Sequence, residues 1–139
     1  MTKELAFVDT SAWFAIKDAQ DQYHAAAIGF LADFQGDFVT SNFVIDETIT
    51  LVLVRLGYWA ALGVGEQLWK GKLAHNVRIT EDDERAAWEL FKRYSDKGFS
   101  FTDCPSFAVM ERLELRRAFA FDENFSQTGQ FLRVPRLQE

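Results

Sequence analysis

Cysteine is nearly absent from this sequence: Cys104 is the only one among 139 residues, so no internal disulfide framework can form. Such a composition is typical of proteins from a reducing compartment. No apolar run approaches the roughly 20 residues that cross a membrane, and residues 1–4 lack the architecture of a signal peptide. We therefore expect a cytoplasmic protein that does not enter the membrane.

Positive charge and histidine are also scarce. The 15 lysines and arginines are outnumbered by 21 acids, which gives a formal net charge of -6 and argues against nucleic-acid binding through bulk charge alone. A nuclease is not excluded, because metal ions can convert an acidic pocket into a phosphate site. His24 and His75 have no second ligand at metal-binding spacing, so a zinc site is not expected. Neither common glycine-rich phosphate loop is present.

Apolar residues are abundant instead, at 48% with 15% aromatic, enough for one domain over residues 1–139 to bury a sizeable core. Apolar patterning predicts strands over 5–8, 38–40, 74–79, 117–121 and 131–134, with a short extended piece over 99–102. Helices are predicted over 11–17, 20–34, 42–56, 58–70, 80–98 and 105–115. Alternation of strands and helices indicates an α/β fold with a parallel sheet.

Aspartates stand where three of these extended segments end. Asp9 follows the buried-type run 5–8, Asp103 follows 99–102, and Asp122 follows Phe121. Because ligands bind beyond the carboxyl ends of parallel strands, the pattern predicts an acidic pocket at one edge of the sheet. The alternative is three separate helix caps or turns, since Asp is common in both.

A fourth acid, Glu47, lies on the predicted helix over 42–56. Three apolar residues share its helical face: Val44, Leu51 and Val54. On a buried stripe the Glu47 carboxylate must be paired, protonated or bound to a cation. The alternative is a rotated helix on which Asp46 and Glu47 both face solvent.

Four sequence motifs occur along the chain in this order: Asp9-Thr10-Ser11, Glu47, Phe101-Thr102-Asp103-Cys104 with Ser106-Phe107-Ala108, and Phe121-Asp122-Glu123-Asn124-Phe125. Their order and spacing resemble those of PIN-domain proteins, and among these the VapC-like ribonuclease toxins of toxin–antitoxin pairs. The resemblance covers essentially the whole chain. It implies a three-layer α/β/α sandwich with four or five parallel strands.

The resemblance also implies a site and partners. Four acids would bind Mg²⁺ or Mn²⁺ and catalyse hydrolysis of RNA phosphodiester bonds: Asp9, Glu47, Asp103 and Asp122. Thr10 and Ser11 would support that site through their hydroxyls. A homodimer and an antitoxin that blocks the site are expected partners, and the apolar excess over 42–70, with Trp59 and Trp69, suits an interface.

Two residues depart from the family pattern: Asn124 stands where many relatives have another acid, which would weaken binding of a second metal ion, and Pro105 replaces a small polar residue.

The main alternative to a ribonuclease is a catalytically inactive PIN-like domain that binds RNA or protein. A receiver-type signalling domain is a third, although the lysine expected after a late strand is missing. Three arginines are candidate phosphate contacts or simply a solvated helix end: Arg112, Arg116 and Arg117.

Overall fold

The computed structural model describes residues 4–137 and contains one five-stranded parallel sheet. Its strands are β1 (Leu5–Val8), β2 (Asp37–Ser41), β3 (His75–Val77), β4 (Arg117–Phe119) and β5 (Leu132–Val134), in the order β3-β2-β1-β4-β5. The helices are α1 (Thr10–Lys17), α2 (His24–Asp33), α3 (Asn42–Leu56), α4 (Tyr58–Trp69), α5 (Glu81–Arg93), α6 (Asp103–Arg112) and α7 (Asn124–Gln127).

The central strand β1 shows how the layers are arranged. Ala6, Phe7 and Val8 are all fully buried. Successive side chains of a strand point to opposite faces, so burial of all three requires that both faces of the sheet are covered. The predicted three-layer α/β/α sandwich with four or five parallel strands is therefore confirmed.

Local capping explains most of the helix boundaries. The Ser41 hydroxyl accepts a hydrogen bond from the Val44 N–H, and α3 ends at Gly57, whose φ of 97° suits glycine. Thr80 and Asp83 form a capping box at the start of α5. These bounds agree with the prediction because short-range hydrogen bonds set them.

Several predicted boundaries are wrong. Helix α5 ends at Arg93 rather than residue 98, because residues 94–98 form turns. Helix α2 begins at His24 rather than residue 20, because the side chains of Asp18 and Asp21 accept backbone N–H bonds that form turns. Residues 99–102 are not a strand but loop and turn that lead into α6. Helix α6 ends at Arg112 rather than residue 115, and Leu113 is exposed.

No helix in the described part of the chain is long and apolar enough to cross a membrane.

Candidate metal-dependent nuclease site

Two of the predicted acids meet through the pairing of β1 with β4. Asp9 comes directly after β1, and its backbone N–H donates to the Phe119 carbonyl at the end of β4, at 3.0 Å. Asp122 follows β4 within three residues. The two carboxylates therefore lie at the same edge of the sheet, although they are far apart in sequence.

Asp9 is both a helix cap and a buried member of the acidic cluster. Its Oδ2 accepts hydrogen bonds from the Ser11 N–H at 3.3 Å and the Ser11 hydroxyl at 2.9 Å. The Ser11 Oγ in turn accepts the Phe121 N–H at 3.0 Å, which ties Asp9 to the segment that carries Asp122. The cap and the acidic pocket, weighed as alternatives above, are thus one arrangement.

Burial raises the pKa of Asp9 well above its usual value. Repulsion from Asp122 raises it further, the hydrogen bonds from Ser11 lower it, and Glu47 raises it again. A carboxyl group in this position is electrostatically unfavourable in its charged form. A bound cation would relieve that cost.

Glu47 is held at the site by Thr10. The Thr10 hydroxyl donates to Glu47 Oε1, and Thr48 Oγ1 lies 3.4 Å from Thr10 Oγ1. Thr10 and Thr48 are buried, whereas Glu47 is half-buried and Asp46 is exposed. Of the two neighbouring acids, the structure brings Glu47 to the cluster.

The predicted orientation of α3 is only partly correct. Val54, expected on the buried face with Glu47, is 77% exposed. The buried residues of α3 are Val44, Ile45, Thr48 and Val52. Glu47 lies beside this stripe rather than within it, which explains its partial exposure and its access to the site.

Asp103 opens α6 and contacts the Asp122 segment. Its Oδ2 accepts hydrogen bonds from the Asn124 side-chain amide at 2.7 Å and the Ser100 hydroxyl at 3.3 Å. The pKa of Asp103 is raised to about 6, chiefly by burial and then by repulsion from Asp122; Glu47 adds to the rise, and the bonds from Ser100 and Asn124 oppose it.

The four acids fit a hard divalent cation by their donor chemistry. All their ligand atoms are oxygens, as Mg²⁺ and Mn²⁺ prefer. Within residues 4–137, no three acidic, histidine or cysteine side chains converge into a ready-made metal cage. Mg²⁺ does not require one, because it commonly binds through one or two carboxylates and keeps several waters.

The arginines selected from the sequence lie elsewhere. Arg112 donates from Nε and Nη2 to the two carboxylate oxygens of Asp83, at 2.8 and 2.9 Å. Arg117 opens β4 and pairs with Glu4 at 3.2 Å, so it and Arg116 lie at the edge of the sheet opposite the acids. This placement does not support the alternative in which these three arginines hold flanking phosphates. Local sequence did not reveal their partners or their edge of the sheet.

The sequence analysis missed a different arginine at the correct edge. Arg133 on β5 places Nη1 3.4 Å from the Phe121 carbonyl and 3.5 Å from the Asp122 carbonyl. It supports the backbone that carries Asp122. Ser100 and Thr48 were also missed; only the three-residue spacing between Ser100 and Asp103 carried a signal in the sequence.

Comparison with known proteins identifies the family of this chain. The family model of the PIN domain matches residues 6–130. The chain belongs to the PIN-domain family. This confirms the family resemblance noted in the sequence.

Individual PIN-domain relatives are similar over most of their length. The 23S rRNA-specific endonuclease VapC20 of Mycobacterium tuberculosis is 37% identical over 125 residues, covering 90% of this chain and 95% of the relative. A VapC ribonuclease of Archaeoglobus fulgidus is 32% identical over 127 residues, covering 87% and 79%. The crystal structure of M. tuberculosis VapC20, described as a sarcin–ricin loop cleaving toxin, superposes with a TM-score of 0.86 at 36% identity, covering 93% and 97%. The resemblance to VapC-like toxins is confirmed.

Proposed function

We propose that the protein is a metal-dependent endoribonuclease that hydrolyses RNA phosphodiester bonds, and that it is the toxin of a toxin–antitoxin pair. The observation that carries the proposal is the gathering of the acids at the carboxyl edge of the sheet, where burial and then repulsion from Asp122 raise the pKa values of Asp9 and Asp103. The ribonuclease names of two relatives in the family support the same reaction.

The proposed site divides its work between ligands and supports. Asp9, Glu47, Asp103 and Asp122 would hold Mg²⁺ or Mn²⁺, which orients the scissile phosphate and lowers the pKa of the attacking water. The supports act through hydrogen bonds: Thr10 on Glu47, Ser11 on Asp9, and Asn124 on Asp103. Because these donors hold the carboxylates in fixed positions, the site is largely preorganised for its cation.

RNA cleavage with purified protein tests the proposal. Wild type is expected to cleave RNA with Mg²⁺ or Mn²⁺ and to lose that activity in EDTA. Asp9→Asn and Asp103→Asn are expected to abolish cleavage while retaining the circular dichroism spectrum of wild type. Asp33→Asn, at the exposed end of α2, is the matched control. Full activity of a well-folded Asp9→Asn variant would refute the site, and an inactive wild type would favour the non-catalytic binding domain.

We further propose a homodimer formed through α3 and α4. Trp59 is 80% exposed, and an apolar groove of about 480 Å³ between the two helices is bordered by Leu53, Leu62 and Trp69. Exposed apolar surface of this extent is characteristic of interfaces. The apolar excess predicted from the sequence thus lies on the surface in this chain rather than between layers.

The antitoxin is the second proposed partner. A basic side chain from the tail of the antitoxin would neutralise the negative charge of Asp9 and Asp103, as the bound cation otherwise does. Inhibition would then compete with Mg²⁺. The cytoplasmic location expected from the sequence stays a prediction.

A further inference from the structure

A groove of about 660 Å³ leads away from the acidic site, between α3 and the turn that precedes α6. Glu47 lines it on the α3 side, and Thr102 and Pro105, the close neighbours of Asp103, line it on the other. One of the four acids, Glu47, therefore lines this groove directly, and Asp103 lies in the chain between two of its lining residues; we call it the Glu47–Phe101 groove. A polymer that binds with one phosphodiester bond at the acids would extend into this groove.

Aromatic rings form part of the wall of the groove. Phe101 and Phe43 both line it, and Phe101 remains 39% exposed. The Phe101 ring is held in place by edge contacts with Trp88 and Phe91, at centroid distances of 6.0 and 5.8 Å. A fixed ring with a free surface is the kind of platform on which unpaired RNA bases stack.

An arginine completes the groove at the last turn of α3. Arg55 lies with its guanidinium carbon 5.7 Å from the centroid of the Phe14 ring, and it lines the same groove. No carboxylate among residues 4–137 lies within ion-pair distance of it, in contrast to Arg112 and Arg117. Its positive charge is therefore available to a phosphate.

We propose that the Glu47–Phe101 groove binds the single-stranded RNA segment adjacent to the cleaved bond, with a base stacked on Phe101 and a phosphate held by Arg55. The proposal rests on the ribonuclease function proposed above and identifies where its substrate binds. An aromatic platform combined with a cation is the usual composition of single-strand sites. An apolar protein segment in the same place would bury the Arg55 guanidinium without a partner, which is unfavourable.

Binding of uncleaved RNA tests this directly. The probe is a fluorescein-labelled single-stranded RNA oligonucleotide, and its anisotropy is followed with Mg²⁺ in the Asp9→Asn background, which removes cleavage. Arg55→Gln is expected to weaken binding about tenfold and to reduce the salt slope by about 0.7, the loss of one phosphate contact on a single strand. Arg116→Gln, an equal charge change at the opposite edge of the sheet, is the control and should bind as the parent does.

Phe101 provides an independent arm of the experiment. Phe101→Leu is expected to weaken binding at least about fivefold without changing the salt slope, because it removes stacking rather than charge. Phe101→Tyr keeps an aromatic face and should restore affinity, which separates stacking from a general effect on folding. A thermal melt accompanies each variant.

Several results would overturn the proposal. Parental affinity in both Arg55→Gln and Phe101→Leu would do so, as would variants that change the oligomeric state while binding RNA normally, because the groove would then be a contact between copies. The ribonuclease proposal has its own test in wild-type cleavage. A cleaving enzyme with unaffected groove variants would therefore retain the function and lose only this binding site.

Discussion

The side-chain amide of Asn124 donates a 2.7 Å hydrogen bond to Asp103 Oδ2, and its backbone N–H donates to Asp122 Oδ1 at 3.1 Å. One neutral residue thus bonds to two carboxylates that repel each other. The bond to Asp103 favours the charged form of that carboxyl group and partly offsets the repulsion that raises its pKa. Asn124 acts here as a donor to the acids, which explains how a neutral residue fits where the family resemblance led us to expect another acid.

The first prediction concerns this amide. Asn124→Asp replaces a donor with a fifth negative charge beside Asp103, so the metal-free protein should be less stable and should gain more from Mg²⁺ than wild type does. Thermal denaturation in EDTA and in Mg²⁺ measures both effects. Gln130→Glu, an equal charge change at an exposed position, is the control. An unchanged melting temperature in EDTA would contradict the hydrogen-bonded arrangement.

Two aspartates should respond in opposite directions to the same substitution. Asp103 is destabilised by its neighbours when charged, so Asp103→Asn should raise the metal-free melting temperature by about 2–5 °C. Burial acts to raise the pKa of Asp83, but hydrogen bonds from Arg112 and Thr80 outweigh it and lower that pKa. Asp83→Asn should therefore lower stability, by about 1 kcal/mol or more.

Denaturation of both variants without metal measures this difference. It also distinguishes the role of Asp103, which belongs to the proposed site, from that of Asp83, which belongs to a structural ion pair. A drop in stability for Asp103→Asn would show that Asp103 is a structural cap.

The stability of the metal-free protein should depend on pH through Asp103. Its folded-state pKa of about 6 lies above the ordinary value of 3.8, so the folded protein holds this proton more tightly than the unfolded chain. The resulting stabilisation is fully present below about pH 4 and is lost as the pH rises through about 6.

The measurement is the difference in melting temperature between wild type and Asp103→Asn, from pH 4 to pH 7 in EDTA. Wild type should fall progressively below the variant over this range. Taking the difference removes the contribution of Asp9, whose pKa is also raised. A difference that does not vary with pH would contradict the prediction.

Thr10 should act as a positioning residue for Glu47. Thr10→Val keeps the shape of the side chain but removes its hydroxyl, and we expect kcat/KM for RNA cleavage to fall about tenfold, as loss of one hydrogen bond to a charged group implies. Thr10→Ser keeps the hydroxyl and should recover most of the activity. Equal losses in the two variants would indicate a packing effect instead.

The dimer proposed for α3 and α4 can be tested with two exposed tryptophans. Trp59→Glu places a charge in the proposed interface and should yield a monomer by analytical ultracentrifugation at micromolar concentration. Trp88→Glu makes the same change on α5, where Trp88 is 52% exposed, and should leave the oligomeric state unchanged. A monomeric wild type would remove the dimer proposal and leave the nuclease proposal standing.

Local interactions made much of the fold predictable. Within the run 5–8, Ala6, Phe7 and Val8 are buried, and the composition of the run alone predicts a central parallel strand. Helix ends were predictable because a capping residue bonds to backbone groups only a few positions away. Ser41 and Gly57 cap the two ends of α3, and the Thr80–Asp83 capping box begins α5. Asp9 and Asp122 were recognisable for the same reason, since each lies within a few residues of the end of a strand. Asp103 instead follows a loop and turn that the sequence pattern predicted as an extended segment.

Sequence by itself therefore determined the α/β class, most element boundaries and the candidate acids, since these depend on short-range order along the chain. Only the tertiary structure decided what those residues contact. Pairing of β1 with β4 brings Asp9 toward Asp122. Packing of α3 exposes Val54 and leaves Glu47 at the site. The guanidinium of Arg112 is paired with the Asp83 carboxylate. Each of these contacts joins distant parts of the chain, and the free energy that selects them comes from packing the whole sheet and its helices together.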